Sequence, residues 1–510
     1  EVRLQGRVKG PIKNMKGKDI KLYFGNSTLF RGDAQMTGLP NIYETFVNLK
    51  VDDFTTDLSD LQKFKLPGNL PLDMIPEEIE KLGHIRLKGR FTGFYNDFVS
   101  NAQVYTDIGK LITDVQIKSD KEKETIVYQG DFKATGFQLG QLIEMESDFG
   151  ALDFDLHVKG QGVTLPTLKT QIDGNIDGLN FRGNQLETIF IDAAISENKF
   201  QGSVSIDDRL IDANFLGLIN FNSQKPNFDF RADFKHVMLA ELGLMKIDSS
   251  ANLSTKIHMD FTGDNIDEFL GSIVVDSTVF KYKNEIYDME KLHVNSSHKG
   301  TDAFSKTITV HSDFINGELT GLYNIEKLPG AFEMLLSSYL SKFSLEENIE
   351  PQFVNEDFSF NFVIDKTDEL SDLFIPELRL KDELTLSGNF KSRDKNFLAQ
   401  LETSELDFGG ISLLNPNIRI QTTAEAAHAK VSLHQLIFKK PEPQDSLKLG
   451  LDQIMFDVKI KNDSAFYHLD WLNLSDKIRN SGDIIGHALV RDSQQYEISF
   501  QQADFVINDS

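Results

Sequence analysis

The sequence predicts a mostly β protein, an elongated and curled antiparallel sheet that forms a hydrophobic groove and carries only a few short helices. Three observations support this. Apolar residues recur at every second position along most of the 510 residues, the mark of strands with one apolar and one wet face. Turn signals such as G-N-S and G-L-P-N interrupt these runs. Forty phenylalanines against thirteen prolines give ample apolar surface and few breaks, which excludes a disordered chain.

The pattern is clearest over 85–118. Ile85, Leu87, Gly89, Phe91 and Gly93 alternate with Arg86, Lys88, Arg90 and Thr92, and Leu111, Thr113, Val115 and Ile117 repeat it. Before it, 1–57 reads as N-terminal hairpins built on Leu4, Val8, Ile20, Leu22, Phe30, Ala34, Leu49 and Val51, and 58–84 as a short helical insertion. A groove segment is expected over 85–327, with brief helical interruptions at Leu139 to Glu146 and Met238 to Leu244. Over 328–350 an amphipathic helix places Phe332, Leu335, Leu336, Tyr339, Leu340 and Phe343 on one face, to pack on the sheet or to touch a membrane or gate. The groove resumes over 351–510, and the polar loop Lys439 to Ser446 is the expected protease-sensitive point. A loose repeat, in which an alternating strand closes on glycine, recurs at Arg3, Arg86, Leu156 and Ile257 with uneven spacing, so the chain reads as one long meander.

Composition narrows the function. A formal charge of -25 argues against nucleic acid or an anionic bilayer surface as the main partner. Without cysteine there is neither a disulfide framework nor a thiolate metal site. Motifs of zinc proteases, serine hydrolases, phosphate loops and dinucleotide sites are missing, so neither an enzyme nor a cofactor is expected. His293 and His298 lack a third metal ligand in view. Asp173 to Gly178 begins like a calcium loop, but Asn184 stands where the bidentate glutamate belongs, and a strand carrying Ile172 and Ile176 explains it better. Triplets at Asp276, Asp445 and Asp463 weakly resemble O-glycan acceptors. No signal peptide or spanning helix is seen. Both ends fall inside strand patterns, so the chain reads as a piece of a longer protein whose anchor would lie outside it.

A series of about 35 half-apolar strands at about 4.8 Å spacing would make a sheet roughly 170 Å long. Such an apolar face must be covered, rolled shut or curled into a trough. Few helical segments are available as covering, so a trough is expected.

Specific residues then suggest a family. G-R-F-T-G-F-Y-N-D-F-V from Gly89 to Val99, the K-L-I-T-D-V-Q-I-K that follows, and G-D-F-K-A-T-G-F-Q-L-G-Q-L-I from Gly130 to Ile143 resemble the TamB translocation and assembly module, one of the AsmA-like proteins of Gram-negative envelopes. The family's inner-membrane anchor and C-terminal domain are not in this sequence. The resemblance implies a periplasmic groove anchored in the inner membrane that meets an outer-membrane barrel protein of the TamA or BamA type. It also implies phospholipid as cargo, moved between the two membranes. On that reading the groove is lined by Leu87, Phe91, Val115, Ile117, Phe132, Phe154, Leu156, Val158, Ile191, Ile195, Phe215, Ile219, Phe228, Phe230, Phe234, Ile257, Phe261, Phe358, Phe360, Phe362, Phe456, Val458 and Ile460. Ordinary core packing is the alternative for each of them. For the whole chain the alternatives are a scaffold for outer-membrane protein assembly and an extracellular adhesin.

Overall fold

The computed structural model describes residues 2–63, 65–66, 70–71, 77–120, 125–162, 167–221, 224–246, 248–283, 285–299, 305–341, 355–365, 371, 375, 377–439, 449–475, 478–492 and 495–507. Most of the expected loop at Lys439 to Ser446, the Asp445 triplet and Phe343 lie outside these residues. The chain is mostly β. Thirty-two strands belong to one antiparallel sheet that does not close on itself. Among the described residues there are three short α-helices: α1 (Leu58–Lys63), α2 (Leu139–Ile143) and α3 (Leu328–Ser337). Two compact units are distinguished, Glu1–Met259 with Thr278–Ile286, and Asp260–Ser277 with Tyr287–Ser510.

In the first unit most described strands pair with a neighbour in sequence, Phe46–Thr56 reaching Ile85–Phe94 past the 58–84 insertion, and the ladder keeps one face apolar. Directly opposed residues of an antiparallel pair point the same way. Leu4 faces Leu22, Leu22 faces Phe30 and Phe30 faces Phe54. Phe54 faces Leu87, Leu87 faces Val104 and Val104 faces Leu111. Further along, Ile172 faces Ala193, Ala193 faces Gly202, Gly202 faces Gly217 and Gly217 faces Phe230. Where a residue is inserted, as between Val51 and Phe54 or Ala134 and Phe137, a bulge absorbs it and the apolar parity resumes.

The opposite face carries the charged groups, with Phe190 and Leu216 exposed among them. Ion pairs lie along it, Lys133 3.1 Å from Asp155 and Lys235 2.9 Å from Asp212, and His157 Nδ1 shares a hydrogen bond with Asp131 at 2.7 Å. The sequence Asp173 to Gly178 lies inside the strand Lys169–Phe181, with Ile172 and Ile176 on the apolar side.

The second unit repeats this arrangement. Gly321 faces Phe358, Phe358 faces Phe390 and Phe390 faces Phe397. The face continues from Val431 to Phe456, Leu469 and Ile484. One excursion departs from the meander. The strand Asn396–Glu402 pairs with Asn417–Thr422, and the hairpin between them joins Leu378–Leu380 on one side and Ala427–Lys439 on the other.

The helical expectations are realised in shortened form. The stretch from Leu58 to Leu82 holds α1 and a 3₁₀ turn at Glu77–Leu82. Met238 to Leu244, expected as a helix, is a set of turns. Gly243 adopts a left-handed conformation there, and the Glu241 and Gly243 carbonyls accept from Asn184 and Arg182.

Candidate apolar binding face

The expected lining residues fall on one face within each unit. In the first, Val115 faces Gly130, which faces Val158, which faces Ile172. Phe132 faces Leu156, Leu156 faces Gly174 and Gly174 faces Ile191, while Ala134 faces Phe154. Ile195 faces Phe200, which faces Ile219, which faces Phe228, and Ala213 faces Phe234. Ile117 faces Phe98, and Phe91 packs on the Phe98 ring at 4.4 Å. Ile257 has the parity of Leu253, which packs on the same side. In the second unit Phe360 and Phe362 face Gly388 and Leu386, while Val458 and Ile460 face Ala429 and Ala427. Phe261 packs edge-on against Phe269 at 5.1 Å.

Most of these side chains are neither core nor surface. Val115 and Phe358 are buried, Phe456 is 37% exposed, and the rest are half-buried. A single sheet layer accounts for this, because each ring is covered by its lateral neighbours and open from above. Ring contacts run across strands, Phe200 to Phe215 at 5.8 Å and Phe215 to Phe230 at 5.0 Å. A depression of about 900 Å³ in the first unit is lined by Asp173, Asp192 and Arg231 together with Ile172, Leu216 and Phe230, a mixed polar and apolar wall.

Local lids cover parts of the apolar face. In the first unit Leu82 and Leu142 close over Ile108, Ala134 and Phe137, tied by Lys81 to Glu144 at 2.9 Å. Leu239 and Leu242 close over Leu186, Ile189, Leu210 and Val237. Arg182 holds these turns, bonding Asp148 and the Gly243 carbonyl at 2.6 Å each. In the second unit α3 lies on the sheet face. Ala331, Leu335 and Tyr339 are buried with Tyr323, Phe358, Phe390 and Ala427, and Phe332 stacks on Phe390 at 5.1 Å. Phe360 and Ile460 are packed against this cluster. Tyr339 donates to the Thr423 carbonyl at 2.6 Å, and Ser341 donates to Asp463.

Polar groups that the sequence reading missed sit under this lid. Glu356 is two residues before Phe358 and shares its parity, a signal visible in E-D-F-S-F-N-F. It is 1% exposed, one carboxylate oxygen accepts from the Asn324 amide at 3.1 Å, and the other has no partner. Burial pushes its pKa up to about 7, with Asp267 adding to the rise and the Asn324 bond and Lys327 opposing it. Burial also raises the Tyr323 phenol, whose hydroxyl is likewise unpartnered, and Lys306 lies over that ring at 5.1 Å.

Among the described residues no group of three His, Asp or Glu is placed to hold a metal, and no helix is long and apolar enough to cross a membrane. His293 shares a hydrogen bond with Ser272 at 3.1 Å. The chain matches no protein-family model, no curated protein and no solved structure.

Proposed function

We propose that this chain is a conduit for phospholipid acyl chains, which travel along the apolar face of the sheet. The observation that carries the reading is the ladder register. Within each unit the same face stays apolar from strand to strand, and it stays half-buried where no lid covers it. Moving a roughly 16-carbon chain through water costs on the order of 12 kcal/mol at about 0.8 kcal/mol per methylene. A continuous apolar strip removes most of that cost without any bond being made or broken, so the reading needs no catalytic residue and no cofactor. Uniformity serves such a path better than tight binding at one point.

The resemblance of Gly89 to Val99 and Gly130 to Ile143 to the TamB group supports the same reading. On this proposal the chain works in the periplasm, between an inner-membrane anchor and an outer-membrane barrel of the TamA or BamA type. On this proposal the lids over Phe137, Leu186 and Phe390 divide the strip into open and covered reaches.

The test is native mass spectrometry with lipid extraction on the chain purified without detergent. Phospholipid at more than one copy per chain is expected, with loss of part of it in Phe230→Asp and none in the polar-face variant Arg86→Glu. A lipid-free, stable wild-type chain would overturn the conduit and favour the assembly scaffold.

A further inference from the structure

The strong negative charge of the whole chain conceals a positive corner. Of its first 31 residues, Arg3, Arg7, Lys9, Lys13, Lys16, Lys18, Lys21 and Arg31 are basic, and only Glu1 and Asp19 are acidic. The strands Val2–Lys9 and Asn14–Phe24 place these cations on the polar face in opposed pairs. Lys9 faces Lys16, Arg7 faces Lys18, and Lys21 faces Arg31 on the next strand. Like charges directly opposite one another are destabilising. Arg7 is relieved by its ion pair with Asp19. Lys9, Lys13 and Lys16, at the hairpin tip, are exposed and make no ion pair among the described residues.

Exposed apolar groups share that edge of the sheet. The tip at 10–13 carries Ile12, 66% exposed. The connection 38–45 lies beside it, the Gly38 amide donating to the Lys13 carbonyl at 3.0 Å. Next comes the turn after Phe94, where Phe46 faces Phe94 in the ladder. Tyr43 meets Tyr95 edge-on at 6.0 Å, and Phe46 meets Phe94 at 5.5 Å. All four rings are exposed. Acidic groups are few here: Glu44 is exposed, and Asp97 is paired with Lys118 at 3.5 Å. The opposite edge is acidic, with Asp57 and Asp60 gathered around the Asn26 to Thr28 turn.

We infer that this edge, formed by the tips 10–13, 38–45 and 94–96, docks on an anionic phospholipid bilayer. Lysines beside exposed aromatic and aliphatic side chains suit that surface, because the rings settle at the boundary of hydrocarbon and water while ammonium groups meet lipid phosphates. A nucleic acid would satisfy the lysines and leave Ile12, Phe46 and Phe94 in water. The inference concerns the rim of the sheet and holds whether or not the apolar face carries lipid.

Flotation of the chain with vesicles tests it, comparing phosphatidylcholine alone with phosphatidylcholine mixed with phosphatidylglycerol. Binding is expected only to the anionic vesicles and is lost as salt shortens the Debye length to about 3 Å at 1 M. Each lysine near such a surface is worth roughly fivefold, so the triple variant Lys9→Gln, Lys13→Gln, Lys16→Gln is expected to bind on the order of a hundredfold more weakly. Lys459→Gln, on another part of the sheet, is the control and should bind like the wild type. Tyr95→Trp reports insertion, with a blue shift on anionic vesicles above the baseline of the single native Trp471. Absence of flotation with either vesicle, a triple variant that floats like the wild type, or salt-independent binding would each overturn the proposal. Capture by polyglutamate without vesicle binding would point to an acidic protein partner instead.

Discussion

Gly217 lies directly opposite Phe230, and a β-carbon at 217 would stand 2.4 Å from both the Cα and the Cβ of Phe230. The phenylalanine fills the space a side chain would need, and Gly321 has the same relation to Phe358. Gly217→Val therefore forces the two strands apart, at an expected cost of about 1–3 kcal/mol. Urea unfolding checks this, and an unchanged midpoint would show that the strands are not seated as described.

Phe390 is 1% exposed beneath α3, whereas Phe91 is half-buried on an open reach of the same kind of face. Phe390→Ala is expected to cost about 3–5 kcal/mol, the range for a buried ring, and Phe91→Ala clearly less. Equal losses at the two positions in a denaturant series would mean that α3 does not cover its strands in solution.

The Glu356 carboxyl, with a pKa near 7 in the fold against an ordinary 4.5, holds its proton more tightly folded than unfolded. That contribution to stability is fully present below about pH 4.5 and is lost as pH rises through 7. It amounts to on the order of 3 kcal/mol. Glu356→Gln is expected to melt like the wild type at pH 5 and at a higher temperature at pH 8. The same difference at both pH values would remove Glu356 as the cause.

Asp60 behaves in the opposite sense. Its carboxylate accepts from the Ser27, Asn26 and Thr28 amides at 2.7–3.1 Å, and these bonds hold its pKa well below the usual range. Its contribution is present above about pH 4 and is lost as pH falls toward the depressed value. Asp60→Ala should lower the melting temperature at pH 7, with the gap to wild type narrowing in acid. A gap independent of pH would exclude the charge.

Alternation at two-residue spacing made the sheet and its apolar parity legible in the sequence, because side-chain direction in a strand follows from position alone. Parity separated Phe91 and Phe215 from the polar side in the first unit, and Phe360 in the second, without knowledge of which strands pair. Glycines inside strands were legible as positions that leave room on the covered face, but which residue takes that room, as Phe230 does opposite Gly217, needs the register. The lid at Leu239 and Leu242 was misread as helix because two apolar residues three apart fit a helical period as well as a turn. The basic edge was hidden by summing charge over the whole chain, although Arg3 to Arg31 displayed it.

Because almost every strand pairs with the one before it, the contacts that build the sheet are short in sequence, and such topologies form quickly and locally. Each strand finds its template complete as soon as the preceding turn closes, so the protein can assemble progressively while the rest of the chain is still being made or delivered. Among the described strands the longest wait is that of Ile315–Leu322, which pairs with Asp357–Ile364 only after 323–356, α3 among them, have followed. That delay makes 315–364 the expected slow step, and the place where an emerging chain would most need protection from wrong pairings.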